Sequence, residues 1–145
     1  MMLLNSIRTY RSKEMLILGM GREKRQKDKK KIQSVEDVNI YESGRFKYIL
    51  MKLSIGKYSK TIIRGFQSVE IHADIYEKEE QSFAELGIHT ECLGGGRIDH
   101  DKDKKMILVY GYSVGFGRAD HSIAVELLKL KFPHYTKISY TNEGY

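Results

Sequence analysis

The sequence predicts a single α+β domain, in which a mixed sheet of about six strands carries two α-helices. Three observations point there. Apolar runs of strand length recur from Phe46 to the C-terminal end. Two stretches, Ile71–Leu86 and Ile123–Leu130, carry apolar residues at helical spacing. The two kinds of segment alternate along the chain, so the helices must pack on the sheet rather than form a layer of their own.

Phe46–Leu53 (FKYILMKL) is apolar on both faces, as a central strand would be. Ser54–Lys60, with Gly56, reads as a turn, and Thr61–Phe66 as a second strand, β-branched at its start. A hairpin is the simplest connection between them. Ile71, Ile75, Phe83 and Leu86 then fall on one helix face, with Glu77–Glu80 on the wet side and Gly87 as the C-terminal cap. Ile88–Leu93 and Arg97–His100 read as two strands separated by Gly94-Gly95-Gly96. Lys105–Tyr112 (KMILVYGY) is the most apolar strand and is expected near the centre of the sheet. After the loop Ser113–Gly117, Ile123, Leu127 and Leu130 define a second helix that Pro133 ends, and Tyr135–Tyr140 is a last strand.

The chain has 145 residues, 41% hydrophobic and 30% charged, which suits one domain with room for a tail. Its longest uncharged run, Met106–Gly117, is 12 residues and is broken by three glycines, too short for a membrane span. The single cysteine excludes an internal disulfide framework and a Cys-rich zinc site, and fits a reducing compartment. A cytoplasmic location is therefore expected.

The basic charge is unevenly placed. Residues 1–33 hold ten Lys/Arg and three Asp/Glu, a net +7, whereas the other 112 residues hold 15 bases and 16 acids, a net −1. Residues 1–33 therefore read as a basic, disordered tail, and 34–145 as the domain. A nucleic-acid-binding surface would need the bases on the domain itself, so no nucleic-acid partner is expected. The first 13 residues, with Arg8 and Arg11 and no acid, have the composition of a mitochondrial transit segment. That is the alternative reading; the preferred one is an extended or alternative start, since Met15 and Met20 follow.

Several residues could carry chemistry. Val109–Arg118 runs from a strand through a Gly-rich turn into a helix start, the outline of an anion site, though without Walker or Rossmann spacing. Lys47 and Arg97 are cations that could face the same pocket, or ordinary surface bases. His72 opens the first helix, where the positive helix end disfavours imidazolium and keeps the ring able to accept a proton. His121 lies near the start of the second helix. Cys92-Leu93-Gly94-Gly95-Gly96-Arg97 imitates a cysteine-phosphatase loop, but the spacing is one residue short and Glu91 precedes the thiol. Cys92 is read as a packing residue.

Taken together, Gly44–Tyr48 (GRFKY), Ile63–Phe66 (IRGF), His72–Tyr76 (HADIY), Glu91–Arg97 (ECLGGGR), Val109–Ser113 (VYGYS) and the terminal Glu143–Tyr145 occur in one order. In that order the stretch from about Val35 to Tyr145 resembles the protein histidine phosphatase family, which includes the Janus and ocnus proteins of insects, and is most like its Janus-A branch. The resemblance implies a six-stranded mixed sheet with two helices and a metal-independent, cofactor-free hydrolysis of phosphohistidine on proteins. It assigns His72 to the catalytic position and Lys47 to a phosphate contact. Ser113, Val114 and Gly115 match the loop whose backbone amides hold the phosphate, and Arg97 and His121 match residues lining the same pocket. Ile71 stands where the family can carry a Tyr, and Val114-Gly115 replaces a Met-Ala type pair, changes that bear on substrate preference. A role in insect sex differentiation and a monomeric state complete the expectations. The rival reading is a non-catalytic phosphate- or phosphohistidine-binding module, which the pairing of His72 with Lys47 disfavours.

Overall fold

The computed structural model describes residues 19–144. A helix α1 covers residues 19–34, followed by β1 (Val38–Ile40), β2 (Gly44–Ile55), β3 (Tyr58–Phe66), α2 (His72–Glu85), β4 (His89–Asp101), β5 (Met106–Tyr110), α3 (His121–Lys131) and β6 (Lys137–Tyr140). The six strands form one mixed sheet in the order β1-β3-β2-β4-β5-β6. The outer pairs β1–β3 and β5–β6 are parallel and the inner pairs antiparallel. The α+β class and the six-stranded mixed sheet are as expected; a third helix joins the two that the periodicity revealed.

The strand number agrees although two strands were read differently. Ile88–Leu93 and Arg97–His100 are one strand, β4, continuous through the glycines and paired with β2 along its length. A register shift at Leu50/Met51 absorbs the irregularity there. The short edge strand β1 makes up the count, held parallel to β3 with too few residues to show a period. β5 is not central. It lies one strand from the edge, with Met106 and Leu108 partly exposed on the front face to the side of α2, and β2 and β4 occupy the middle.

Alternation along β2 divides the core. Phe46, Tyr48 and Leu50 point to the back face, where they meet Ala124, Val125 and Leu128 of α3. Ile49, Met51 and Leu53 point to the front face, where they meet Ile75 and Phe83 of α2. Arg64, buried on β3, fastens α2 from this side through Glu79 at 3.5 Å and donates to the carbonyl of Glu36 at 3.0 Å. Gly87 ends α2 as expected: its φ is +74°, and Ile88 N–H returns to Phe83 O at 3.0 Å. Asp120 caps α3, its carboxylate accepting from Ser122 N–H at 3.1 Å.

Residues 19–34 correct the expectation of a disordered tail over 1–33. Asp28 and Ile32, one turn apart, are buried, while all seven Lys/Arg of this helix face solvent. Ile32 enters the front core and Lys31 Nζ donates to Leu86 O at 3.2 Å. Two buried residues in four turns leave no amphipathic stripe for a sequence to display. The transit-segment reading of the first 13 residues lies outside the described residues.

Candidate active site

Lys47 and Arg97 are direct partners across β2 and β4, and Arg97 is partnered in turn by Tyr110 of β5, so one row of side chains crosses the front face. Lys47 Nζ donates to the carbonyls of Val69 and Glu70 at 3.1 and 2.6 Å. The same cation therefore pins the loop between β3 and α2 and so places the first residue of α2, His72.

His72 is buried, its ring against β4. Nε2 lies 2.8 Å from the Gly96 carbonyl. A carbonyl only accepts, so Nε2 carries the proton and Nδ1 keeps its lone pair, with no hydrogen-bond partner among the described residues. Burial lowers the pKa of the ring below the ordinary 6.5, and the charges of Lys47 and Arg97 lower it further, against an opposing pull from the Gly96 bond. The ring is neutral at pH 7.

The three glycines of β4 make this approach possible. A Cβ on Gly95 would stand 2.6 Å from His72 Cδ2, and one on Gly96 would stand 2.7 Å from His121 Cε1. Gly95 faces the front and Gly96 the back, so the two histidines press on opposite sides of one strand. His121 is thus not in the wall of the His72 cleft, which corrects the expectation. It is 1% exposed behind the sheet, where Nε2 donates to Gly111 O at 2.8 Å and Nδ1 accepts from the Tyr48 hydroxyl. Burial raises the Tyr48 pKa and keeps that proton in place. Tyr48 was not singled out in the sequence, because its role exists only through His121.

The loop after β5 closes the cleft. Ser113 N–H donates to Gly117 O at 3.2 Å, and Ser113 Oγ accepts from Phe116 N–H at 3.1 Å. The Ser113 amide is therefore spent inside the turn, a correction to its expected contact with phosphate. The amides of Val114 and Gly115 have no acceptor among the described residues. They are joined by the open start of α2, whose N-cap, Ile71, supplies no side-chain acceptor. The cleft, 470 Å³, is bounded by Lys47, His72, Ala73, Val114, Gly115 and Phe116, among others. Arg97 lines an adjoining hollow of 240 Å³ with Arg45 and Lys47. Two groups of backbone donors, a lysine and a neutral imidazole converge on one concave space, an arrangement suited to a tetrahedral oxyanion and to moving one proton.

Cys92 belongs elsewhere. Burial pushes its thiol pKa up, and Sγ sits 3.8 Å from Gly94 O. Because β4 is extended, five residues at roughly 3.3 Å each separate it from Arg97; no loop wraps a phosphate between them.

The chain belongs to the Janus/Ocnus family, whose pattern residues 32–136 match. It is 50% identical over 109 residues to the sex-regulated protein janus-A of Drosophila simulans, covering 74% of this chain and 80% of that one. It is 42% identical over 121 residues to the 14 kDa phosphohistidine phosphatase of Sus scrofa, covering 79% and 95%. The human protein of that name is 42% identical over 118 residues, covering 77% and 94%. Among the described residues, no helix is long and apolar enough to cross a membrane.

Proposed function

We propose that this protein is a phosphohistidine phosphatase that hydrolyses the N–P bond of phosphohistidine in protein substrates, without a metal or other cofactor. The observation that carries the reading is the Nε2–H bond of His72 to Gly96, which leaves a neutral imidazole lone pair beside open amides and Lys47. The names of the mammalian relatives support the substrate.

In this mechanism the phosphoryl oxygens lie against the Val114 and Gly115 amides, the first amides of α2 and Lys47 Nζ. Arg97 adds positive potential from the neighbouring hollow. Phosphoryl transfer spreads charge over three equatorial oxygens, so fixed donors here stabilise the transition state. His72 Nδ1 takes a proton from the attacking water as the new O–P bond forms and the N–P bond breaks. The proton that His72 has taken then passes to the leaving imidazole nitrogen, giving histidine and inorganic phosphate and restoring the neutral base. Ser113 shapes the turn, and His121, through Gly111, holds its approach.

One chain supplies all these groups, in keeping with a monomeric enzyme. The half-buried free thiol of Cys92 is in keeping with a reducing cytoplasm. A role in sex differentiation rests on the name of the Janus-A relatives. The test is phosphate release from a phosphohistidine peptide in EDTA, comparing the wild type with His72→Ala. Binding without turnover by the wild type would instead make this a phosphohistidine-binding module.

A further inference from the structure

Ile71 breaks two rules at once. It occupies the N-cap of α2, with φ −131° and ψ 152°, a position where Ser, Thr, Asp and Asn are favoured and Ile is among the poorest residues. It is also 57% exposed. Omitting a capping side chain leaves the first amides of α2 open to an anion, but alanine or glycine would do that equally well. A large hydrocarbon group held in water beside the site needs another reason. Val114, 81% exposed, and Phe116, packed edge-on against Tyr76, line the same cleft.

We propose that Ile71, Val114 and Phe116 form an apolar subsite that receives an apolar side chain flanking the phosphohistidine of the substrate polypeptide; this rests on the function proposed above. The cleft has two unlike sets of lining groups. Lys47, His72 and the free amides suit a phosphoryl group, whereas Ile71, Val114 and Phe116 add hydrocarbon, with Glu70 as the acidic residue of the lining. Its 470 Å³ falls in the range of sites that enclose a small ligand, roughly 300–1,000 Å³, and exceeds what a phosphate alone requires. A chain that enters phosphate-first must lay its next groups against this lip. A Leu, Ile, Met or Phe there removes both its own surface and that of Ile71 and Val114 from water. An acidic neighbour would lose hydration there and share the cleft with the Glu70 carboxylate.

The test uses phosphohistidine peptides of one length that carry Leu, Ser or Glu beside the phosphohistidine, with free phosphohistidine as a substrate that has no neighbours. Each peptide is also made with a non-hydrolysable phosphoryl-triazole in place of phosphohistidine, for binding by calorimetry. Ile71→Ala is the variant, since alanine neither caps α2 nor fills the lip. Expected is a preference of about tenfold for the Leu peptide over the Ser peptide in wild-type kcat/KM, carried by KM, the scale of one small apolar contact. Ile71→Ala loses most of that preference and turns over free phosphohistidine at the wild-type rate. Equal wild-type affinity for the Leu and Ser analogue peptides overturns the subsite. So does an equal loss by Ile71→Ala on free phosphohistidine, which would put Ile71 against the imidazole ring. A wild-type dimer that Ile71→Ala dissociates would mean that a second copy covers the lip, and also overturns it. If no phosphohistidine compound is hydrolysed, the proposed function fails, while the analogue affinities still decide the subsite.

Discussion

His72 Nε2 lies 2.8 Å from the carbonyl oxygen of Gly96, so a backbone acceptor on β4 decides which nitrogen of the imidazole holds the proton. The ring can come this close because β4 presents a hydrogen atom at Gly95 where any other residue has a Cβ. His72 and the glycines are one feature. Replacing His72 with alanine should therefore remove the base while leaving the strand intact. We expect a fall of 10²–10⁴-fold in kcat, the usual worth of general base catalysis, with phosphate binding nearly unchanged and Cys92→Ser silent. Steady-state kinetics and phosphate titration of both variants check this; an active His72→Ala protein refutes the assignment.

Gly95→Ala and Gly96→Ala should each damage the protein more than a glycine-to-alanine change in a strand ordinarily does. The new methyl group at Gly95 meets His72 Cδ2 at 2.6 Å and the backbone oxygen of Tyr48 at 2.8 Å, and that at Gly96 meets Tyr110 O at 2.5 Å. Overpacking of this kind costs about 1–3 kcal/mol. Thermal unfolding should report both losses, and Gly95→Ala should also lower kcat by displacing His72.

Lys47→Ala removes a cation from the proposed phosphate site and frees the loop that it ties at Val69 and Glu70. A lost charge-assisted contact is worth about 1.5–3 kcal/mol, which corresponds to about 10–150-fold in KM or phosphate affinity. Lys47→Arg should recover little, since the carbonyls at 3.1 and 2.6 Å are placed for a compact ammonium. Unchanged kinetics would return Lys47 to the surface.

Acid should weaken the protein through two of its buried histidines, His72 and His121. Burial lowers the pKa of His72 and of His121 below 6.5 in the folded state. The unfolded chain then binds protons first as pH falls, so stability is fully present above 6.5 and is lost as pH drops from there through the folded values. Each histidine contributes a slope of up to about 1.4 kcal/mol per pH unit in that window. Tm should be flat just above neutrality and fall below pH 6.5, and the acid limb of kcat/KM should likewise lie below 6.5. A Tm that rises on acidification would contradict both.

Deleting residues 1–33 should cost stability, contrary to what a disordered tail implies. The deletion removes Ile32, 4% exposed in the front core, and an Ile→Ala change at such a site costs about 2–5 kcal/mol. Turnover per folded molecule should survive, because Lys31 touches α2 at its C-terminal end, a helix length of roughly 20 Å from His72. Denaturant unfolding of Ile32→Ala beside the deletion separates the core contribution from that of the charged residues.

By itself the sequence determined what depends on neighbours along the chain. The hairpin of β2 and β3, the spacing of Ile75 and Phe83, the Gly87 cap and the placing of His72 at a helix start are local patterns of period, propensity and turn chemistry. Whatever depends on a partner from a distant element was decided by the tertiary structure. Gly94-Gly95-Gly96 reads as a break until His72 and His121 arrive on its two faces, and then it is the only way for β4 to pass between them. From its place at the start of α3, His121 reads as a neighbour of the Gly-rich turn, yet it bonds Tyr48 behind the sheet. The Ser113 amide looks available until Gly117 folds back to accept from it. Residues 19–34 read as solvated charge because a helix anchored by only Asp28 and Ile32 shows no stripe, and the groups that bury them, the front face of β2 and β3 with the turn at Gly56, belong to elements later in the chain.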